Sequence, residues 1–283
     1  MKEIKKVCVI GAGSMGRQIA LNAACSGFEV RVKTSKPEDN RAWCDSFLAK
    51  GVAKGKYDEA YKEAALSRLS FVTTMEEAVS DVDLVIESIL EDEALKREIF
   101  TQVNELAPKD AIIATNSSYM ASSLFADIIT PNDRLANLHY FNPAMIMKLV
   151  EVVRGPHTSD DTVKALQAFC AALGKKYITV NKEIEGFIVN RLLRAIQNEA
   201  FFLYKEGYAD YKDIDLGEEL GLNHPLGPFR LMDLTGIDLC YMSRKAKYES
   251  TGKPEDEPPA FLKEKYESGE FGRKTGKGWY DYQ

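Results

Sequence analysis

Short apolar runs alternate with longer amphipathic stretches over roughly the first 185 residues of the chain. Apolar runs of about four to eight residues are typical of buried strands, and apolar residues repeated every three to four positions are typical of helices. The alternation predicts βαβ units around a mostly parallel sheet. Strands are predicted over residues 7–10, 30–32, 84–86, 111–114, 135–139, 149–153 and 177–180, and helices over residues 15–25, 93–106 and 162–173.

The pattern changes after residue 185. Residues 188–204 form one long apolar-rich stretch that predicts a buried helix, and the segments after it are helical in pattern and rich in Lys, Glu and Tyr. We therefore predict a Rossmann-type, doubly wound α/β domain over residues 1–185 and a smaller all-α domain over residues 186–283.

A glycine-rich turn follows the first predicted strand and opens the first predicted helix. It reads Gly11-Ala12-Gly13-Ser14-Met15-Gly16. In this context Gly11 suits a tight turn, Gly13 lets the backbone approach a pyrophosphate, and Gly16 lets the helix pack on the strand. The N-terminus of the helix offers backbone N–H donors to phosphates. The turn therefore predicts a dinucleotide site at residues 11–16, and the alternative is an ordinary structural turn.

The end of the second predicted strand leaves the choice of dinucleotide open. An acidic residue at this position normally binds the ribose 2′-hydroxyl of NAD, but here the strand ends in Thr34, followed by Ser35 and Lys36. Hydroxyl groups beside Lys33 and Lys36 suit a 2′-phosphate, which favours NADP. In the alternative interpretation, Thr34 binds the ribose more weakly and NAD is still the cofactor.

A histidine and a glutamate lie in two successive apolar strands. His139 ends one predicted strand, and Glu151 lies twelve residues further on, inside the next. A carboxylate in an apolar strand needs a partner, and a strand–turn–strand path of this length can return to His139. A carboxylate beside an imidazole fixes its tautomer and stabilises its charged form, as a general base requires. The alternative is a core histidine with a purely structural hydrogen bond.

Composition and charge exclude several classes of protein. The 283 residues are 45% hydrophobic and 28% charged, with a net charge of −6, so nothing favours nucleic-acid binding. The chain contains no apolar run long enough to span a membrane and no secretory signal, and we expect a cytoplasmic protein. Five scattered cysteines without a CxxC pair argue against a disulfide framework and against a metal site.

Six ordered segments resemble the signature motifs of the 3-hydroxyacyl-CoA dehydrogenase family, and the resemblance is closest to the bacterial 3-hydroxybutyryl-CoA dehydrogenases. The resemblance implies an oxidoreductase that interconverts (S)-3-hydroxyacyl-CoA and 3-oxoacyl-CoA with NAD(H) or NADP(H), in fatty acid or butyrate metabolism. It also implies a homodimer assembled through the helical domain. The segments are residues 115–118, 139–143, 147–152, 186–191, 223–228 and 272–280.

The resemblance also implies roles for individual residues. His139 is the base for the 3-hydroxyl proton and Glu151 orients it, while Ser118 and Asn190 bind the substrate. Lys54, in a basic cluster with Lys50 and Lys56, contacts the CoA phosphates. The dinucleotide is contacted by Glu91, Lys96, Asn142 and Lys274, besides Gly11, Gly13, Ser14, Met15, Gly16 and Thr34.

Several of these residues also have simpler interpretations. Glu91 and Lys96 are compatible with a solvated helix face, Asn142 with a turn cap, and the lysine cluster with a solvated helix end. The chain departs from the family at Thr34, Tyr119, Met145 and Glu185. Two rival functions therefore stay open: a dehydrogenase of another small hydroxy acid on the same scaffold, and a catalytically silent, crystallin-like dinucleotide-binding protein.

Overall fold

The computed structural model describes residues 2–282. The chain divides into two compact units, Met1–Ile188 and Val189–Gln283. The boundary predicted after residue 185 lies close to this division.

The first unit is built on one eight-stranded sheet with the strand order β3-β2-β1-β4-β5-β6-β7-β8. Neighbouring strands are parallel except β6 and β7, which are antiparallel. The predicted mostly parallel α/β sheet is confirmed. The strands are β1 (Lys6–Ile10), β2 (Glu29–Lys33), β3 (Leu69–Val72), β4 (Leu84–Glu87), β5 (Ile112–Thr115), β6 (Leu135–Tyr140), β7 (Leu149–Val153) and β8 (Lys176–Val180).

The core of this unit lies on both faces of the sheet, because alternate residues of each strand point to opposite faces. Val7 and Val9 of β1 belong to one buried cluster, and Cys8 and Ile10 to another. Helices cover both faces, as a parallel sheet requires. They are α1 (Ser14–Cys25), α2 (Pro37–Ala53), α3 (Glu59–Ser67), α4 (Met75–Val79), α5 (Glu93–Leu106) and α6 (Asp160–Ala172).

The second unit is helical, and its C-terminal segment packs against the helices through hydrogen bonds to Asp233. The buried carboxylate of Asp233 accepts hydrogen bonds from the backbone N–H groups of Trp279 and Tyr280 and from the hydroxyl of Tyr282, each at 2.9 Å. Trp279 packs in the aromatic core of the unit. The helices are α7 (Val189–Lys205), α8 (Tyr211–Leu216), α9 (Pro228–Thr235), α10 (Ile237–Thr251) and α11 (Ala260–Glu267). Across residues 2–282 the helices are too short or too polar to span a bilayer.

We expect most thiols to be unreactive in the folded protein. Burial raises the pKa of Cys8, Cys44 and Cys170 to about 12, and the thiolate is the reactive form of cysteine. Labelling with an aromatic disulfide reagent at pH 8 should therefore reach at most Cys25 and Cys240, which are partly exposed. In denaturant all five cysteines should react. Rapid labelling of more than two thiols in the folded state would contradict this expectation.

Candidate active site

The glycine-rich turn joins β1 to α1, and its three glycines meet different constraints. Gly11 has a φ of +95°, and a Cβ there would lie 2.5 Å from the carbonyl oxygen of Ser88. A Cβ on Gly16 would lie 1.9 Å from the carbonyl oxygen of Gly11. A Cβ on Gly13 would meet nothing within 4 Å. The fold itself therefore requires Gly11 and Gly16, whereas the open space at Gly13 is available to a ligand.

The N-terminus of α1 opens into a cavity of the first unit. No side chain caps this helix, and its first turn therefore presents backbone N–H groups without intrahelical acceptors. The cavity has a volume of about 570 Å³. Its walls combine the glycine turn with the ends of β4 and β5, and the lining residues are Gly11, Gly13, Ser14, Met15, Ser88, Ile89, Leu90, Glu91, Leu95, Lys96, Asn116, Ser117, Ser118 and Tyr119.

Alanine substitutions should separate the two kinds of glycine. Gly16→Ala forces a backbone clash, and we expect it to lower the free energy of unfolding by roughly 1–3 kcal/mol. Gly13→Ala should leave that free energy nearly unchanged but raise the Kd for NAD about tenfold or more. The added methyl group would occupy the space through which a phosphate approaches the backbone N–H groups, and a hydrogen bond to a charged group contributes about 1.5–3 kcal/mol. Urea unfolding and calorimetric titration measure the two quantities. Unchanged NAD affinity in Gly13→Ala would contradict a phosphate at this turn.

The side chain of Thr34 links the end of β2 to the start of α2 through hydrogen bonds. Its hydroxyl oxygen accepts hydrogen bonds from the backbone N–H of Lys36 and from the side-chain amide of Asn40, both at 3.1 Å. The hydroxyl keeps its own hydrogen for donation. Neither Lys33 nor Lys36 forms an ion pair within residues 2–282. The end of β2 therefore carries two uncompensated lysines.

A buried ion pair lies beneath the cavity. Lys96, on α5, is 1% exposed, and its ammonium donates to both oxygens of Glu87 at 2.7 and 2.8 Å. Glu87 ends β4, is fully buried, and also accepts from the hydroxyl of Thr115 at 2.6 Å. The solvated-face interpretation of Lys96 is therefore wrong. Sequence reasoning missed Glu87, although a carboxylate in an apolar strand was the available signal, as it was for Glu151.

Glu91 organises the loop that carries Ser118. Its carboxylate accepts from the backbone N–H of Ser118 at 2.9 Å, from that of Tyr119 at 3.2 Å and from the hydroxyl of Ser117 at 2.6 Å. Burial raises the pKa of Glu91, but the charge of Lys96 and these hydrogen bonds outweigh it and hold the pKa below its usual value. The carboxylate is therefore ionised at neutral pH.

His139 and Glu151 face each other across the antiparallel pair of β6 and β7, where they are direct partners in the strand register. His139 is 3% exposed and Glu151 is fully buried. Nδ1 of His139 lies 2.7 Å from Oε2 of Glu151, and Nε2 lies 3.0 Å from Oγ of Ser118. Because a carboxylate only accepts hydrogen bonds, Nδ1 carries a proton toward Glu151. In the tautomer that has no second ring proton, Nε2 is then the acceptor for the Ser118 hydroxyl.

Two aromatic rings also pack near the imidazole of His139. The ring of Phe141 lies 4.8 Å from that of His139, and the ring of Phe187 lies 5.4 Å away, measured between ring centroids. Phe187 is fully buried and adopts a φ of +49°. The next residue, Ile188, donates its backbone N–H to the second oxygen of Glu151 at 3.0 Å. The carboxylate is thus held on both sides, which fixes the imidazole in one orientation.

The structure brings together many, but not all, of the predicted site residues. Glycines 11 and 13, Ser14, Met15, Glu91, Lys96 and Ser118 line one cavity. Asn142 lies two residues after the end of β6. Lys54 is exposed at the end of α2, near a second cavity of about 500 Å³ that Lys56, Tyr57 and Tyr61 help to line. In the second unit, Asn190 lies in the first turn of α7, and Lys274 forms an ion pair with Asp238 at 2.5 Å.

Family models cover nearly the whole chain. Residues 6–184 match the NAD-binding domain of 3-hydroxyacyl-CoA dehydrogenase, and residues 186–282 match the C-terminal domain of the same family. A probable 3-hydroxybutyryl-CoA dehydrogenase of Bacillus subtilis strain 168 is 37% identical, with 99% of this chain and 98% of the relative covered.

Two solved structures are similar over the whole length. The (S)-3-hydroxybutyryl-CoA dehydrogenase of Ralstonia eutropha superposes with a TM-score of 0.89 at 37% identity, covering 99% of this chain and all of the other. A diketoreductase described as acting on dicarbonyl compounds superposes with a TM-score of 0.91 at 31% identity, with both chains fully covered. The same fold therefore occurs in an enzyme named for a CoA thioester and in one described as acting on dicarbonyl compounds.

Proposed function

The chain belongs to the 3-hydroxyacyl-CoA dehydrogenase family, whose members are NAD-dependent enzymes, and from this premise we propose that it interconverts (S)-3-hydroxybutyryl-CoA and acetoacetyl-CoA with His139 as the general acid–base. The observation that carries the proposal is the hydrogen-bonded chain from Glu151 through His139 to Ser118, of which Ser118 lines the cavity beside the glycine turn.

The cavity fits a dinucleotide at its phosphate end. Gly13 leaves room for a close approach, and the uncapped N-terminus of α1 supplies N–H donors. When bound, NAD accepts the hydride that leaves C3 of the substrate, which is chemistry that the protein itself does not supply. The chain's own residues supply orientation and proton transfer.

The proton is handled at Nε2 of His139. In the oxidation direction, the substrate's 3-hydroxyl approaches Ser118 and His139, and Nε2 takes its proton as the hydride leaves C3. The imidazolium that forms keeps its Nδ1 hydrogen bond to Glu151, and the carboxylate stabilises the new positive charge. In the reduction direction the same Nε2 returns the proton to the oxygen. The products of oxidation are the 3-oxoacyl thioester, NADH and one proton.

The remaining residues of the proposed site act through binding. We assign Asn142 and Lys274 to dinucleotide contacts, Asn190 to positioning the substrate, and Lys54 to the CoA phosphates, on the basis of the family resemblance. Charge supports the assignment of Lys54, because Lys54 adds positive charge to an acidic chain where a polyanionic substrate would bind.

A homodimer is also proposed. Large apolar side chains are exposed on the helices of the second unit, among them Leu192 at 61%, Leu239 at 58% and Phe202 at 48%. Such exposure is unusual for a monomer and typical of a subunit interface. Light scattering coupled to size-exclusion chromatography tests the assembly, and a single species of 31.7 kDa would contradict it.

Turnover of acetoacetyl-CoA with NADH tests the proposed activity, with thioesters of four to sixteen acyl carbons as a series. A dicarbonyl compound without CoA is the matched comparison, because a diketoreductase shares the fold. If the free dicarbonyl compound is reduced with a kcat/KM at least as high as that of acetoacetyl-CoA, the second candidate function is favoured, a reductase of small non-thioester substrates. Absence of turnover with every substrate, despite cofactor binding, would favour a catalytically silent protein.

The end of β2 carries a separate prediction about the cofactor. NAD follows from the family, and the lysines beside Thr34 support acceptance of NADPH as well. We expect Thr34→Asp to lower kcat/KM for NADPH by about tenfold or more, because a carboxylate repels the 2′-phosphate, and to leave NADH turnover nearly unchanged. Lys36→Ala is the companion variant. If the wild-type protein shows no turnover with NADPH, the proposed acceptance of the 2′-phosphate is wrong.

A further inference from the structure

Three charged side chains form one connected cluster at the wall of the cavity. The Lys96 ammonium is bracketed by Glu87 at 2.7 Å and by Glu91 at 3.2 Å. Glu87 contacts it with both oxygens and lies fully buried behind it. The positive charge of Lys96 is thus compensated by Glu87, which lies on its buried side. Two carboxylates and one ammonium leave one net negative charge, and this charge is on Glu91, the outermost member.

The charge lies at the reacting end of the cavity. Glu91 and Lys96 are the charged residues among those that line it. Glu91 accepts the backbone N–H of Ser118, and the Ser118 hydroxyl donates to Nε2 of His139. Hydride transfer requires the nicotinamide ring to be in contact with the substrate carbon whose oxygen meets Ser118 and His139. In the proposed function the ring would therefore bind beside Ser118, at the wall of the cavity that Glu91 also lines.

The two oxidation states of the cofactor differ in charge at this position. The oxidised ring carries one positive charge and the reduced ring carries none, while the phosphates and riboses are the same in both. We propose that the Glu91 carboxylate makes the site bind the oxidised dinucleotide selectively, by attracting the cationic ring. This inference rests on the proposed function, because that function places the ring beside Ser118.

The physical basis is the partial burial of the cluster. The side chain of Glu91 is 38% exposed, and a carboxylate so placed interacts with a nearby charge more strongly than it would in bulk water. Its low pKa keeps it ionised across the range in which the enzyme would work. A gain of about 1.4 kcal/mol corresponds to a tenfold change in Kd, and a change of that order is expected for the oxidised form alone.

Isothermal titration of the full chain with NAD⁺ and with NADH, without acyl-CoA, tests the proposal. We expect Glu91→Gln to raise the Kd for NAD⁺ about tenfold while changing that for NADH less than about twofold. Glu93→Gln, two residues further on and exposed in the first turn of α5, is the matched control and should change neither Kd. An equal change in both values would show that Glu91 contacts a part that the two forms share, and would overturn the proposal.

A second variant distinguishes charge from loop geometry. Glu91→Asp keeps the charge on a shorter side chain, so we expect the ratio of the two Kd values to stay within about threefold of the wild-type ratio even if both affinities fall. If Glu91→Asp changed the ratio of the Kd values for NAD⁺ and NADH as much as Glu91→Gln does, the effect would come from the loop conformation, and the proposal would be wrong. Binding needs no turnover, so an enzyme that keeps the ratio without reducing acetoacetyl-CoA would refute only the proposed function.

Discussion

Replacing His139 with alanine is expected to lower kcat for acetoacetyl-CoA reduction by about three to four orders of magnitude, the upper range for loss of a general acid–base group. The same variant should bind NADH as the wild type does, because in the proposed site the phosphates bind at the glycine turn and His139 serves only proton transfer. Stopped-flow turnover and calorimetric titration measure the two effects separately.

A second histidine of the same unit provides the control. His157 is partly buried, and burial lowers its pKa, but it lies near Ser122 and Glu183, outside the residues that line the cavity. His157→Ala should keep nearly full turnover. If His139→Ala also kept wild-type turnover, the assignment of His139 as the general base would be wrong.

Replacing Lys96 with methionine is expected to lower the free energy of unfolding by about 3–5 kcal/mol, because Glu87 would be left as an uncompensated charge in a fully buried position. The methionine fills most of the volume of the lysine stem, so the loss is mainly electrostatic. Denaturation in urea, followed by circular dichroism, measures the change.

A double variant shows that the lost charge is the cause. Glu87→Gln combined with Lys96→Met removes both charges and should recover most of the stability, since a buried pair contributes little net stability over neutral replacements. The exposed pair of Lys263 and Glu267 on α11 is the comparison, and Lys263→Met should change the unfolding midpoint too little to resolve. A double variant as unstable as Lys96→Met would show that packing dominates.

The sequence was sufficient to predict most of the sheet, because its central strands are apolar on both faces and are separated by strongly periodic helices. Strand β3 was missed. It has four residues, its Ser70 is exposed, and it lies at the edge of the sheet. A short edge strand has no continuous apolar run, since only part of it faces the core. The predicted helix over residues 93–106 agrees with α5 at both ends.

Some contacts in the candidate site were likewise predicted from the sequence, and others were not. The pairing of His139 with Glu151 was predicted because each residue is polar within an apolar strand. The contact between Glu87 and Lys96 was not predicted, because it depends on how α5 lies over the end of β4, and no periodicity in the sequence encodes that placement. Glu91 was expected to contact the dinucleotide, which stays a prediction, but its three hydrogen bonds to residues 117–119 depend on the loop conformation.

The register of β6 and β7 also makes the pairing of His139 with Glu151 independent of the loop that joins the two strands. His139 and Glu151 are opposite each other on the backbone ladder, so their distance does not depend on the conformation of the connecting residues 141–148. That connection includes the exposed side chains of Ile146 and Met147. Its length and apolar content can therefore diverge, through natural drift or directed evolution, while the proton-transfer pair stays intact.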